Sequence, residues 1–385
     1  MPFRFELLRE DATGARAGRL TTDHGVVETP CFMPVGTQGA VKTMSSGDLE
    51  EMGARIILAN TYHLYLRPGM KIMEEAGGIH GFMSWDRPVL TDSGGYQVFS
   101  LSDLNRISDE GVEFRSHLDG SAHLLTPSGV VDIQLTIGSD IMMVLDQCTS
   151  FPCSRSEAEE AVRRTTLWAE RSVAAHGVRM HRNGYERVLF GIVQGSIYGD
   201  LRERSAAELL RLDFPGYAIG GLSVGEPKEE TLRTVEETSP LLPAGKPRYL
   251  MGVGFPEDIV EAVARGIDLF DCVVPTRNSR NGTVYTSRGK LVVKNAAHAR
   301  DWDPIDPDCD CPVCRRYSRG YLRHLFNTGE MSGPRLATYH SLYFYLHLLD
   351  EMRQVIREGR FGEWRNEFYR RYRISRSGAS ISKED

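Results

Sequence analysis

No apolar run in this chain approaches the ~20 residues that a helix needs to cross a bilayer. The opening residues, Met1-Pro2-Phe3-Arg4-Phe5-Glu6, lack the make-up of a secretory signal. Both absences argue for a cytoplasmic protein with no membrane partner. Cysteine is scarce and odd in number, 7 in 385 residues, so a disulfide framework that pairs them all is excluded. Positive charge is not in excess either: 46 Lys+Arg stand against 52 Asp+Glu, a formal net charge of −6. That excludes a uniformly basic nucleic-acid-binding coat. There is no long linker and no internal repeat beyond a strand–helix period.

What is present is ordinary in bulk and uneven in placement. The chain is 41% hydrophobic and 25% charged, as soluble globular proteins are. Its length accommodates a (β/α) barrel of about 250 residues plus something smaller. Pro275 to Asp385 holds 20 Lys+Arg against 13 Asp+Glu, and Met1 to Val274 holds 26 against 39. The basic C-terminal part permits a polyanionic partner on one side; a solvated basic face is the plainer reading.

Phe3 to Leu8 alternates as a half-buried strand does, and Arg19 to Thr29 reads as short strands broken at His24-Gly25. Residues 1–29 are therefore expected to form an antiparallel sheet over one end of the fold. Eight short apolar runs follow. They end at Gly36, Asn60, Asp92, Asp146, Gln194, Gly220-Gly221, Met251-Gly252 and Asp271. Helical segments separate them, with recognisable ends such as Thr126-Pro127 and Gly138. This alternation predicts an α/β fold, a (β/α)8 TIM barrel over residues 30–282, with an open doubly wound sheet as the alternative. The barrel is favoured because polar residues and glycines gather at the ends of the runs, the rim that carries chemistry in barrels. Val112 to Leu125 alternates about Asp119-Gly120, which predicts a hairpin inserted at 111–125.

Residues 283–385 change character. Thr283 to Val293 reads as a hairpin, Leu336 to Ile356 as a helix, and Arg370 onward as a basic tail. Cys309, Cys311 and Cys314 are too close together for a disulfide framework and supply three soft ligands for zinc. The fourth ligand could be His324, His340 or His347. A closed set of four leaves no place for water, so the ion would be structural.

The stretch from Leu269 to Gly282 places Asp271 at the end of an apolar run, followed by Arg277 and Arg280. A carboxylate there costs several kcal/mol unless something holds it. One reading makes Asp271 a nucleophile, with the arginines gripping a polynucleotide backbone. The other makes it one half of a buried Asp–Arg pair. Asp92, Asp146 and Asp271 all end strands, and two carboxylates facing one glycosidic carbon are a common means of breaking a sugar bond.

The segments Thr91-Asp92-Ser-Gly-Gly-Tyr96-Gln97-Val-Phe-Ser100, Gly191-Ile-Val-Gln194-Gly, Ile219-Gly-Gly-Leu-Ser-Val-Gly-Glu226 and Phe270-Asp271-Cys-Val-Val-Pro-Thr-Arg-Asn-Ser-Arg-Asn-Gly282, with the cysteine cluster, closely resemble the tRNA-guanine transglycosylases, or queuine tRNA-ribosyltransferases. The likeness runs from Thr29 to His340. It implies a pentosyltransferase that exchanges guanine at the tRNA wobble position for a 7-deazaguanine. It also implies roles: Asp271 as nucleophile at ribose C1′, Asp92 as general acid/base, and Asp146 reading the N1–H and amino edge of the base. Gln194 and the Gly221 N–H would face O6. Tyr96 and Met251 would sandwich the base, and Cys148, Gly220 and Leu222 would line its pocket. The zinc ligands would be Cys309, Cys311, Cys314 and His340. Val224, where eukaryotic relatives have glycine, suits the smaller base 7-aminomethyl-7-deazaguanine (preQ1), the bacterial preference. A homodimer and the tRNA anticodon loop are the implied partners, and a free 7-deazaguanine base the second substrate. A barrel glycosidase using water and a non-catalytic RNA-binding subunit are the competing functions.

Overall fold

Parallel strands that line a barrel are covered on both faces, so each residue of a run can be apolar without breaking the pattern. In the computed structural model of the protein, which describes residues 3–101, 105–179 and 184–372, all eight runs become such strands. The expected basic tail begins within the helix Phe361–Arg371, at Arg370 and Arg371, and beyond residue 372 it lies outside the described residues. Strands are numbered here in chain order. β1 (Arg4–Glu10), β2 (Arg16–Thr22) and β3 (Gly25–Thr29) form the expected antiparallel sheet. The barrel begins with β4 (Cys31–Met33), β5 (Ile57–Ala59) and β6 (Val89–Thr91).

A three-stranded antiparallel sheet then interrupts it: β7 (Asn105–Ser108), β8 (Gly111–Arg115) and β9 (Ala122–Leu125). The pairing of β8 with β9 is the hairpin expected from the sequence; β7, with little apolar signal of its own, adds a third strand to it. β10 (Ile141–Met143), β11 (Val188–Val193), β12 (Tyr217–Ile219), β13 (Arg248–Leu250) and β14 (Leu269–Asp271) complete the barrel.

Neighbouring barrel strands pair in parallel in the order β4-β14-β13-β12-β11-β10-β6-β5. The ring closes where Val35 bridges Leu58 in parallel and the Leu58 N–H donates to the Pro34 carbonyl at 3.0 Å. An open doubly wound sheet is thereby excluded. The N-terminal sheet covers the end where the strands begin: Phe3 N–H donates to Glu186 at 2.6 Å, just ahead of β11, and Arg16 lies 3.5 Å from Asp268, just ahead of β14. The opposite rim is left for the residues that follow each strand.

Helix ends match their chemistry. Thr126 accepts from the Gly129 N–H at 3.0 Å, Pro127 opens the helix Pro127–Ile137, and Gly138 closes it at φ +82°. After the barrel, β15 (Thr283–Thr286) and β16 (Gly289–Val292) form a hairpin. The long helix Ser332–Arg357 then runs back along the barrel. Tyr345 donates to the Gly254 carbonyl, Arg353 to the Pro30 carbonyl at 2.6 Å, and Ser341 pairs with Ser279 at 2.7 Å. This helix fixes the loop after β13 and the helix Val274–Arg280 after β14 in relation to one another. Among the described residues no helix is long and apolar enough to cross a membrane.

Candidate active site and metal cluster

The rim gathers three carboxylates, and each is held by neutral donors. Asp92, buried after β6, accepts from the Asn60 side-chain amide, from the Thr61 N–H at 2.9 Å and from Gln97 Nε2 at 2.9 Å. Asp146, buried after β10, accepts from Ser93 Oγ at 3.0 Å and Gln194 Nε2 at 2.7 Å. Asp271 closes β14 half-buried. Its Oδ1 accepts from the Tyr249 hydroxyl at 2.6 Å and the Gly252 N–H at 2.8 Å. The alternative of a buried Asp271–Arg pair fails, since neither Arg277 nor Arg280 is among these partners.

Burial without a cation disfavours the charged form. It pushes the Asp92 carboxyl up to about 6, and the nearby Asp271 charge adds to the rise against the hydrogen bonds from Asn60, Thr61 and Gln97. Burial likewise raises Asp146 and Asp271, with their hydrogen bonds opposing it. A carboxyl pushed up to about 6, as Asp92 is, can give and take a proton near neutral pH.

Around them the backbone comes close. A Cβ on Gly221 would sit 2.3 Å from Gln194 Oε1, and one on Gly220 would sit 2.6 Å from Ile192 Cγ2. Gly221 is also at φ +64°, so glycine is required there on both counts. Cys148 and Leu222 are buried beside this segment, Met251 is half-buried after β13, and Tyr96 stands 50% exposed on the helix Gly95–Leu101. On the helix after β14, Arg277 is exposed and Arg280 half-buried, the latter with its Nη1 unpartnered among the described residues.

The cysteine cluster lies on the C-terminal side. His340 Nδ1 is 3.8, 3.6 and 3.3 Å from the Sγ atoms of Cys309, Cys311 and Cys314. Four ligands around one zinc would place sulfur and nitrogen about 3.5 Å apart. His340 Nε2 lies 3.0 Å from the Tyr285 carbonyl, which fixes the proton there and turns Nδ1 toward the thiols. His340 is wholly buried, and His324 and His347 take no part in the cluster. The donor set fits a metal ion, and it ties β15, the 309–314 loop and the long helix together.

A family model for queuine tRNA-ribosyltransferase matches residues 11–374. This chain belongs to that family. It is 56% identical over 364 residues to the queuine tRNA-ribosyltransferase of Pelotomaculum thermopropionicum, covering 94% of this chain and 97% of that protein. The enzymes of the same name from Geobacillus kaustophilus and Anoxybacillus flavithermus are 55% and 54% identical over 379 residues, each covering 98% of this chain and 98% or 99% of their own length.

For a ribosyltransferase of this family, several supporting residues had no assigned role in the sequence reading. Asn60 stood out only as a polar residue at a strand end, and Tyr249 only as part of an apolar run. Arg202 gave no signal at all. It is fully buried, and its guanidinium donates to the carbonyls of Ser196 at 2.8 Å, Val193 at 2.9 Å and Gly220 at 2.7 Å. It thereby fixes the two loops that carry Gln194 and Gly221. Glu226 accepts from the N–H groups of Ser223, at 2.5 Å, and Val224, at 3.0 Å, and so holds Ser223 at φ +58°.

Two outcomes follow. Because the folded chain favours neutral Asp92, that carboxyl contributes stability fully below its ordinary pKa of 3.8 and loses it as pH rises through about 6. Asp92→Asn should therefore gain about 3 kcal/mol at pH 8 and little at pH 4 in urea unfolding; an equal gain at both would contradict the burial argument. Cys311→Ala should lose its metal, read by elemental analysis of the purified protein.

Proposed function

We propose that this chain exchanges guanine at wobble position 34 of GUN-anticodon tRNAs for preQ1, in queuosine biosynthesis, through a covalent ribosyl–Asp271 intermediate. The observation that carries this reading is the pair of carboxylates, Asp92 and Asp271, each held by neutral donors, with the Asp271 charge acting on Asp92. A chain whose near-whole length matches the family supplies the substrate class.

In this reading an Asp271 oxygen attacks ribose C1′ while the C1′–N9 bond breaks, and guanine leaves with that electron pair and takes a proton from Asp92. The incoming base then loses its N9 proton to Asp92, N9 attacks C1′, and the ester to Asp271 breaks. The hydrogen bonds from Tyr249 and Gly252 leave the second Asp271 oxygen for the attack. Asp146 accepts the N1–H and amino donors of the base, with Gln194 and the Gly221 N–H toward O6. Tyr96 and Met251 take the flipped base between them. Val224, half-buried beside the Gly220-Gly221 segment, limits the pocket to the small aminomethyl substituent.

The ion in the Cys309, Cys311, Cys314 and His340 set is taken to be zinc in a closed structural site. Arg277 and Arg280 grip anticodon-loop phosphates. A cytoplasmic homodimer completes the proposal; the exposed side chains of Phe82, Tyr321 and Met331 are apolar surface that a second copy would cover.

Incubation with tRNA and labelled guanine or preQ1 should place label in the RNA. Release of free guanine without incorporation would instead identify a hydrolase, and neither would identify a binding subunit. Asp271→Asn should fold and bind tRNA yet form no denaturation-stable adduct; a wild-type level of adduct would refute the nucleophile. Arg277→Ala should weaken tRNA binding and lower the slope of log K against log salt by about 0.7 to 0.9.

A further inference from the structure

Far from the rim, at the end where the barrel strands begin, two histidines and an aspartate converge. His24 lies in the turn between β2 and β3, His80 in the helix Ile79–Met83, and Asp140 immediately before β10. His24 Nδ1 is 2.7 Å from Asp140 Oδ1, and His80 Nε2 is 3.4 Å from Asp140 Oδ2. The two imidazoles stack at 3.7 Å with their planes 18° apart, and they must part for one nitrogen of each to reach a shared ion. One donor atom from each residue lies within 4.8 Å of the others. Asp140 is fully buried and the histidine side chains are only 23% and 12% exposed.

The protonation pattern is the second observation. His80 Nδ1 lies 2.8 Å from the Trp85 carbonyl, which can only accept, so the proton sits on Nδ1. The Nε2 lone pair of a neutral His80 then faces a carboxylate oxygen, and among the described residues this buried atom has no hydrogen-bond partner. Two lone pairs turned on each other call for a positive charge between them. A metal-bound histidine characteristically gives its other N–H to a backbone carbonyl, and a ligating carboxylate is itself hydrogen-bonded. Here Asp140 Oδ2 accepts from the Val89 N–H at 2.9 Å.

We propose that His24, His80 and Asp140 form a second metal site, distinct from the Cys3His cluster, for a divalent first-row transition ion such as zinc or nickel. Two imidazoles and one carboxylate are the donors such ions prefer, and three protein ligands leave a position for water. On binding, the proton now shared by His24 Nδ1 and Asp140 moves to His24 Nε2, so no net charge leaves the protein. The ion ties the N-terminal sheet to the foot of β10. The buried guanidinium of Arg187 stacks on Tyr185, 4.4 Å from its centroid, and Tyr185 packs edge-on against both histidines. That nearby like charge makes this the weaker of the two sites.

The test is metal stoichiometry on the full-length protein with its cysteine cluster loaded. After equilibration with excess zinc and removal of free ion, wild type should hold about two zinc per chain. His80→Ala and, as a milder change, His24→Gln should each hold one. Zinc should also raise the melting temperature of loaded wild type and leave that of both variants unchanged. One zinc in wild type, or two in both variants, would overturn the site; the first result would mean that a proton alone occupies the gap at His80 Nε2.

Discussion

The site depends on three carboxylates taken out of water and given hydrogen-bond donors but no counter-ion. An amide, a hydroxyl or a backbone N–H stabilises a buried carboxylate by about 1.5–3 kcal/mol, short of the several kcal/mol lost on desolvation. The remainder appears as the upward displacement of Asp92, Asp146 and Asp271. Had Arg277 or Arg280 reached Asp271, its carboxylate would have been neutralised and its lone pairs occupied. The arginines stand instead on the next helix, Arg277 exposed and Arg280 half-buried, and neither pairs with the acid.

The contrast with the opposite end of the barrel makes the point. Burial acts on Asp140 as well, yet the hydrogen bond with His24 opposes it and its carboxyl is held low. Asp268 keeps a carboxyl raised to about 6, because complete burial outweighs an Arg16 guanidinium 3.5 Å away. The bottom acids tie elements to one another, Asp140 through imidazoles and Asp268 through Arg16. The rim acids bind nothing of their own charge, which leaves that charge available to a ligand.

Much of this was legible in the sequence, for identifiable reasons. Strands buried on both faces leave continuous apolar runs, so all eight could be counted, and the residue that ends each run falls on the rim by construction. Three cysteines within six positions have few uses besides a metal. What was not legible depends on long-range placement. Arg202 is separated from its partners Gly220 and Gly221 by a helix and a strand, and nothing in its own neighbourhood marks it as buried. Tyr249 reads as one more apolar residue of β13 until β14 brings Asp271 beneath its hydroxyl. The strand β7 carries too little alternation to be seen without its partner β8. His24, His80 and Asp140 lie more than fifty residues apart in sequence, so only the closed barrel brings them together.

The rigidity of the rim follows from the same packing. Gln194 can serve Asp146 only if its amide is held at one rotation, and two glycines and an arginine do that holding. Any side chain at position 221 would strike Gln194 Oε1, and without the Arg202 guanidinium the Gly220 carbonyl would lose its donor, leaving Val193 held to this segment by the Gly220 N–H alone. The long helix closes the arrangement from outside. Through Tyr345 it fixes the loop after Gly252, whose N–H donates to Asp271, and through His340 it is fixed in turn by the cysteine cluster. The cysteine cluster thus bears on the orientation of Asp271. The path runs through one helix and two hydrogen bonds, and no charge need be transmitted along it.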